Sequence, residues 1–295
     1  MLRKEQGRLY RNEQAARHVV RWVRGQRKNG HAKATPAPEP TATLPTPVET
    51  GYKVNDIAPG LRYLLLSDVH LPYHDLCALT AAIDHGVKAG CNGVILLGDI
   101  LDCYQLSRFE RDPRARRFSD ELKAAGQLID YIGQRLKPRA FYWKLGNHEH
   151  RYYRYLVDHA PELLGVPAFE WSNILELDRR GVTLVPVNQI LRCGHLHLLH
   201  GNEWHGGASS PVNPARGAFM QLMSCAVVAH RHRSSMHPEP TLAGELITVW
   251  SLGCLCGLHP DYAIVNKWNH GCGVLDATGD WRVQNVRILN GQVME

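Results

Sequence analysis

The sequence lacks any apolar run of about 18 or more residues, so it predicts no transmembrane helix. The basic N-terminus is followed by no apolar segment of the kind that a secretory signal needs. The eight cysteines include no C-x-x-C pair, and Cys254 and Cys256 are separated by a single residue. We therefore expect reduced thiols in a cytoplasmic protein, and a cysteine zinc site is the less favoured alternative.

The charge is distributed unevenly along the chain. Of the 295 residues, 44% are hydrophobic and 21% are charged, values typical of a globular protein with room for one large α/β domain and an appendage. Residues 1–33 contain ten Lys or Arg and two Glu, a balance of +8, whereas the whole chain carries +6. The rest of the chain therefore balances at −2, and the basicity belongs to the N-terminal segment.

Residues 1–31 predict a basic helical arm, since residues 2–29 contain no proline and place apolar side chains among many arginines. Such an arm either neutralises the phosphates of DNA or RNA or packs on a neighbouring surface through Val19, Trp22 and Val23. Residues 32–52 are rich in Ala, Pro and Thr and predict an extended linker. The remaining residues, 53–295, are expected to form the main domain.

The main domain begins with an alternation of strands and helices. Strands are predicted near 62–67, 93–98 and 140–145, followed by helices near 75–89, 118–136 and 149–159. This alternation indicates a mainly parallel sheet with helical crossovers. The second half is rich in strands, with one helix near 214–224; the predicted strands are 182–187, 195–200, 225–229, 245–250, 273–277 and 281–288.

Short polar clusters follow several of these apolar runs. They are Asp68-Val69-His70, Gly98-Asp99-Ile100-Leu101-Asp102, Gly146-Asn147-His148-Glu149, His200-Gly201 and His230-Arg231-His232. Residues two apart, such as Asp68 and His70, share a face if the backbone is extended. Because oxygen and imidazole ligands suit Mn, Fe, Zn or Mg, the clusters are candidates to hold two divalent metals at one edge of a sheet.

These five clusters, in this order, resemble the motifs of the calcineurin-like metallophosphoesterase superfamily: D-x-H, G-D-x-x-D, G-N-H-E/D, a lone His and G-H-x-H. The resemblance covers roughly residues 61–290, and Ala229 stands where the family usually has Gly. It implies an α/β fold, a four-layer α/β/β/α sandwich of two mixed sheets flanked by helices, here with an N-terminal basic helical extension. The alternative is that these are ordinary turn residues and hydrogen-bonded histidines.

The resemblance also implies a role for each motif residue. The first metal would be bound by Asp68, His70 and His232, the second by Asn147, His200 and His230, with Asp99 bridging both. The cofactors are expected to be two divalent metal ions, with Mn2+ favoured over Fe, Zn or Mg. His148 would protonate the leaving group, Asp102 would orient His148, and Glu149 would support the ligands without binding metal.

A second block, Gly194-His195-Leu196-His197, matches the last family motif better than residues 229–232 do. If it were that motif, the preceding lone His would have to be 150 or 159, and both fall in a predicted helix. The histidines at 200, 230 and 232 are therefore favoured. His205 and His237 are weaker substitutes.

The residues around the motifs bear on the substrate. The protein Ser/Thr phosphatase branch reads G-D-x-x-D-R-G, whereas this chain has Cys103 and Tyr104 after Asp102, which argues against a protein phosphatase. Arg151 is a candidate phosphate clamp, with a solvated helix arginine as the alternative. Tyr104 and Arg108, in the loop 104–111, are candidates to stack on a base or to hold a phosphodiester, as is the loop 201–216; both loops could equally pack the rim.

Three functions remain open. The loop at 102–118 resembles that of phage-encoded and DNA-repair-exonuclease-like phosphoesterases, which favours a phosphodiesterase or nuclease, with the basic arm presenting DNA or RNA. The alternative is a phosphoesterase for a nucleotide or cyclic nucleotide. The third is a non-catalytic scaffold, which the complete set of ligands opposes. We expect no membrane partner, and no oligomeric state is predicted.

Overall fold

The computed structural model describes residues 44–108, 112, 117–204 and 212–294, together with Arg17. The predicted basic arm, apart from Arg17, and the linker before residue 44 lie outside the described residues. Residues 44–52 form neither helix nor strand. The chain divides into the units Met1–Glu49 and Thr50–Glu295, and all the elements below belong to the second.

Two sheets make up the strands of the described residues. The first has the order β13-β12-β11-β2-β3-β4-β5, in which β2 to β5 are parallel and β11 to β13 are antiparallel. The bounds of its strands are β2 Arg62–Leu66, β3 Gly93–Leu97, β4 Ala140–Lys144, β5 Val182–Val185, β11 His270–Asp276, β12 Arg282–Leu289 and β13 Gln292–Met294. The three parallel neighbours β2, β3 and β4 therefore end at the same edge.

The second sheet has the order β1-β6-β7-β8-β10-β9 in the described part of the chain. Its strands are β1 Lys53–Asp56, β6 Gln189–Cys193, β7 Leu196–Leu198, β8 Ala226–Val228, β9 Ser235–Pro240 and β10 Leu246–Ser251. β7 and β8 are parallel, and so are β8 and β10. Both sheets are thus mixed.

The helices of the described residues are α1 Leu76–Lys88, α2 Phe118–Leu136, α3 Glu149–His159, α4 Trp171–Ile174 and α5 Pro214–Leu222. Two of them, α1 and α5, begin after a capping side chain. Asp75 precedes α1 and accepts a hydrogen bond from the Ala78 amide, and Asn213 does the same for Arg216 at the start of α5. Such side chains satisfy amides that have no partner within the helix.

The two sheets pack face to face, with helices on both outer faces. Because strand side chains alternate, Tyr63 and Leu65 of β2 point between the sheets and pack in one cluster with Leu198 of β7 and Val227 of β8. Leu64 and Leu66 point the other way, into a cluster with residues of α1 and α2. α5 covers the outer face of the second sheet through Ala218 and Phe219. The layers follow the order α/β/β/α, and the predicted fold class is confirmed.

Every strand and helix predicted within 62–288 is present, with ends shifted by at most three residues. The sequence did not predict β1, β6, β9, β13 or α4. Three of these strands, β1, β9 and β13, lie at sheet edges, and β9 reads Ser-Met-His-Pro-Glu-Pro. Edge strands tolerate proline and need no apolar alternation, so they carry a weak sequence signal.

Candidate dinuclear metal centre

The predicted ligands gather where five strands end. Asp68 and His70 follow β2, Asp99 follows β3, and Asn147 follows β4; these strands are parallel neighbours in the first sheet. His200 follows β7, and His230 and His232 follow β8, which are parallel neighbours in the second sheet. Because the carboxyl ends of parallel strands share an edge, residues distant in sequence converge there. The seven predicted ligands are brought together.

The backbone geometry differs from the sequence-based expectation. Asp68 and His70 were expected to share a face in extended backbone, yet both have positive φ, 49° in each case. The φ angles of Asp99, His230 and His232 are 52°, 68° and 54°. Left-handed backbone turns the chain sharply after each strand, and this turn brings the side chains together. The expectation of an extended backbone is therefore wrong, although the residues it selected do converge.

Two glycines allow the ligand loops to approach closely. A Cβ atom at Gly146 would lie 2.2 Å from Asp99 Oδ1, and one at Gly98 would lie 2.4 Å from His200 Nδ1. Gly98 also has φ of +85°, which L side chains rarely adopt. Any side chain at these positions would displace a predicted ligand.

Glu149 ties two ligand loops together from beneath the site. Its buried carboxylate accepts hydrogen bonds from the amides of Asp99 (3.1 Å), Ile100 (2.7 Å), Leu101 (3.0 Å) and Gly146 (2.8 Å). Both carboxylate oxygens are therefore engaged by backbone donors and turned away from the ligand cluster. This arrangement agrees with the expected supporting role.

Two groups of ligand atoms share one carboxylate. The ligand atoms of Asp68, His70 and Asp99 lie within 4.8 Å of one another, and so do those of Asp99, His200 and His230. His232 belongs to the first group, because its Nε2 lies 3.1 Å from Asp68 Oδ1 and 3.2 Å from His70 Nε2. Asp99 is the member common to both groups, which is the position a bridging carboxylate requires.

Three buried polar atoms of the predicted ligands have no hydrogen bond. They are Asp68 Oδ1, Asn147 Oδ1 and His200 Nε2. His200 Nε2 lies 3.1 Å from Asp99 Oδ2, but the two atoms are not aligned as a hydrogen bond. Buried polar atoms without partners are costly, and each of these atoms is a metal-ligand type. The donor set therefore fits divalent metal ions.

The charges at the site create a demand for cations. Burial alone lowers the pKa of His200, but the Asp99 carboxylate outweighs it and raises the pKa to about 10. Burial also lowers the pKa of His232, but the Asp68 carboxylate outweighs it and raises the pKa to about 10. His230 behaves differently, since burial and the neighbouring His200 lower its pKa to about 4. The buried carboxylates favour positive charge beside them, and either protons on the histidines or metal ions can supply it.

His148 and Asp102 form a second polar group beside the ligands. His148 Nδ1 lies 2.9 Å from the Asp102 carbonyl oxygen and 3.2 Å from its Oδ1, and Asp102 Oδ1 also lies 2.9 Å from His70 Nδ1. Burial lowers the pKa of His148, but the charge of Asp99 and the hydrogen bond to Asp102 outweigh it and raise the pKa. Asp102 therefore contacts two imidazoles at once, an arrangement that can orient metal-binding histidines.

Arg151 contacts the opposite side of the His148 ring. Its guanidinium donates to the Asp102 carbonyl oxygen at 3.0 Å and lies 2.9 Å from His148 Nε2. A hydrogen bond from Arg151 to Nε2 requires that nitrogen to carry no proton. Protonation of His148 Nε2 and its contact with Arg151 therefore exclude each other.

A cleft of about 1040 Å³ opens beside these groups. His70, Asp102, His148 and Arg151 line it at the metal side, and Tyr104 lines it farther along. Arg108 is not among the described lining residues; its side chain is 68% exposed and pairs with Asp158 at 2.9 Å. Of the three predicted substrate contacts, two face the cleft and one lies outside it.

The chain was compared with protein families and with known proteins. A family model described as calcineurin-like phosphoesterase matches residues 61–245, which is more than half of the chain. The chain belongs to this family. Members of this family bind a dinuclear metal centre. Membership in the family supports the classification of this protein as a hydrolase that cleaves phosphoesters with the help of metal ions.

Individual relatives are distant. Gene 54 protein of Mycobacterium phage L5 is 25% identical over 200 residues, which span 65% of this chain and 77% of the phage protein. Among solved structures, vacuolar protein sorting 29 of Cryptosporidium parvum is 16% identical with a TM-score of 0.43, covering 80% of this chain and 96% of that protein. Yfce, a phosphoesterase from E. coli, is 15% identical with a TM-score of 0.34, covering 78% and 100%.

The histidines considered as alternative ligands, where the structure describes them, lie away from the ligand cluster. His195 is exposed, and His197 Nδ1 lies 3.2 Å from the Ser224 hydroxyl. His237 pairs with Glu239 at 3.2 Å, and His205 is outside the described residues. None of the described three belongs to the ligand cluster.

A buried ion pair beneath the centre was not anticipated from the sequence. Lys144, the last residue of β4, is fully buried, and its Nζ lies 3.2 Å from Glu203 Oε1. Glu203 in turn accepts hydrogen bonds from the amides of His200 (3.1 Å) and Gly201 (2.6 Å). Burial raises the pKa of Glu203, but Lys144 and His200 outweigh it and lower the pKa. The pair joins the two sheets behind the ligand His200.

In the described part of the chain, no helix is long and apolar enough to cross a membrane. All eight cysteines are unpaired, as expected. Cys256 is buried, with its Sγ 3.8 Å from His232 Nδ1, and the potential ligand atoms of Cys256, His70 and His232 lie within 4.8 Å of one another.

Proposed function

We propose that the chain hydrolyses phosphodiesters at a dinuclear metal centre. The observation that carries this proposal is the pair of ligand groups that share Asp99. Asp68, His70 and His232 would hold one ion, and Asn147, His200 and His230 the other, with manganese as the preferred metal. Two such ions supply Lewis-acid stabilisation of the phosphoryl group and activate water at neutral pH.

The residues of the chain would supply orientation and a proton. His148 lines the cleft, and its Nε2 lies 3.8 Å from Asp99 Oδ2, which supports a role for His148 as the acid that protonates the leaving oxygen. Asp102 holds Nδ1 and fixes the orientation of the ring. In its present contact, Arg151 blocks Nε2 from carrying a proton. A substrate phosphate that draws the guanidinium away would free Nε2, so Arg151 would act both as clamp and as gate for the acid.

A diester fits the charges of the cleft better than a monoester. Among the described lining residues, Arg151 is the single guanidinium, whereas Asp112 and Asp261 add carboxylates. The protein phosphatase branch has an Arg after its second motif, and this chain has Cys103, which is buried. A diester carries about one negative charge and needs fewer cationic contacts.

Two classes of substrate remain for the test. The +8 balance of residues 1–33 supports a nuclease that receives DNA or RNA through this arm. The volume of the cleft, about 1040 Å³, lies at the upper end of the range of small-molecule sites and supports a nucleotide or cyclic nucleotide. Both use the same centre, and they differ in whether removal of residues 1–49 affects turnover.

The test uses the manganese-loaded protein with bis(p-nitrophenyl) phosphate and with end-labelled single- and double-stranded DNA. We expect hydrolysis of the generic diester, its loss in Asp99→Asn, and its retention in Asp158→Asn, a matched change at an exposed aspartate. DNA cleavage that requires residues 1–49 would assign a nuclease. Equal hydrolysis by wild type and Asp99→Asn would refute the proposed centre.

A further inference from the structure

A run of aromatic rings leads away from the metal centre along the cleft. The Trp268 ring lies edge-on to the ligand His232 with centroids 4.0 Å apart, and Tyr262 lies 6.2 Å beyond Trp268. Both line the cleft. Neither belongs to a family motif quoted above, and the acid and ligand roles assigned above do not use either.

The segment that carries these rings is held in a defined shape. Asn266 Nδ2 donates to the carbonyl oxygens of Leu258 and Ala263, each at 2.6 Å, and its Oδ1 accepts from the Trp268 amide at 2.8 Å. The Gly257 amide donates to the Tyr73 carbonyl oxygen at 2.9 Å, which fixes the base of the segment. Hydrogen bonds therefore hold the loop that carries the two aromatic rings in a defined conformation.

Tyr262 is an exposed residue at the wall of the cleft. The residue is 76% exposed, and desolvation together with the charge of Asp102 raises the pKa of Tyr262. An open aromatic face at a cleft wall is available for stacking. A tyrosine that served only to fill the core would be buried instead.

A second aromatic pair lines the same cleft. Tyr73 and Tyr104 lie edge-on at 6.3 Å, and the Tyr104 hydroxyl accepts a hydrogen bond from the Asp112 amide at 3.0 Å. Asp112 and Asp261 add carboxylates to the lining. The cleft thus offers flat apolar faces together with hydrogen-bond acceptors, which match the faces and the N–H edges of a heterocyclic base.

We infer that this cleft binds the nucleobase attached to the scissile phosphate, by stacking on Tyr262 beside Trp268. The inference rests on the proposed phosphodiesterase activity and names its substrate class, a nucleotide unit. An alkyl chain would not stack on the aromatic faces, and an unmodified sugar would use them only in part. Stacking is tolerant of base identity, so several bases would be accepted.

The experiment compares two diesters with the same leaving group. Thymidine 5′-(p-nitrophenyl phosphate) carries a base, and methyl p-nitrophenyl phosphate does not. We expect kcat/KM to favour the thymidine ester in the wild type, and this ratio to fall at least about fivefold in Tyr262→Ala. Tyr262→Phe should keep the ratio because it keeps the ring. Tyr131→Ala, a change at an exposed tyrosine on α2, is the control.

Equal kcat/KM for both esters, or a ratio unchanged in Tyr262→Ala, would overturn the inference while leaving the phosphodiesterase proposal standing. If neither ester is hydrolysed, the activity proposal fails, and calorimetry then decides on base recognition. Thymidine 5′-phosphate should bind at least about fivefold more tightly than deoxyribose 5-phosphate. Equal or undetectable binding of both would refute it. Tighter, salt-sensitive binding of oligothymidylate would identify a strand end as the source of the base.

Discussion

The buried pair of Lys144 and Glu203 allows a sharp test of how the two sheets are joined. Lys144 Nζ contacts Glu203 Oε1 at 3.2 Å and donates to the carbonyl oxygens of Leu145 (2.9 Å) and Val187 (3.0 Å). Lys144→Met would remove these three contacts and leave the Glu203 carboxylate, whose side chain is only 16% exposed, without its cation. Removing one member of a buried pair costs about 3–5 kcal/mol.

That loss is large for a domain of this size. The free energy of unfolding of a typical domain is about 5–15 kcal/mol, and 1 kcal/mol shifts Tm by about 2–4 °C at this length. We therefore expect Lys144→Met to lower Tm by about 6–20 °C. Thermal unfolding in the presence of a chelator measures the change in Tm, and equilibrium urea unfolding measures the change in the free energy of unfolding; the chelator removes any contribution from bound metal.

A double-mutant cycle separates the ion pair from the packing. Lys144→Met combined with Glu203→Gln removes the uncompensated charge, so the double variant should be more stable than Lys144→Met alone. Arg192→Met breaks the exposed pair with Asp56 and should leave the midpoint unchanged. Strict additivity of the two single changes would refute the reasoning, since it would show that the charges do not interact.

Three further predictions concern the site and its supports. His148→Asn should slow hydrolysis of an alkyl ester by about 10²–10⁴-fold, slow a p-nitrophenyl ester far less, and retain metal by elemental analysis; an alkyl-ester rate equal to wild type would remove the acid role. Glu149→Gln should cost at least about 2 kcal/mol of unfolding free energy in urea, because an amide cannot accept all four backbone donors; an unchanged midpoint would contradict this. Glu121 is a buried residue of α2. Burial raises the pKa of Glu121 to about 7 from 4.5, so its stabilising contribution is present below pH 4.5 and is lost as the pH rises through 7. Relative to Glu121→Gln, the wild type should lose about 3 kcal/mol between pH 4.5 and 8, and a constant difference across that range would argue against the shift.

The motif residues could be found from the sequence because each cluster is local. Asp68 and His70, or His230 and His232, are two residues apart, and their order along the chain carries information without any structure. The prediction of an extended backbone at these residues was wrong, because the residue types alone do not indicate left-handed φ angles. Asp and His visit that region more often than most residues, but not often enough to predict it.

The supports and the cleft wall were not predictable in the same way. Lys144 and Glu203 are 59 positions apart, and each is an ordinary charged residue that would usually be exposed. Tyr262 and Trp268 lie in a segment between β10 and β11 whose short turn and irregular backbone have no periodicity to read. Their partners become visible only once the sheets are assembled.

The origin of the ligands in both sheets has a consequence for the order of folding. The seven candidate ligands run from residue 68 to residue 232. Four of them follow strands of the first sheet and three follow strands of the second, so the two parts of the set meet only in the completed sandwich. Contacts of such long sequence separation form late, after loop closure has been achieved elsewhere. Metal capture would then be the last event of folding, and ions in the medium would act on the lifetime of the finished protein rather than on how quickly it is made.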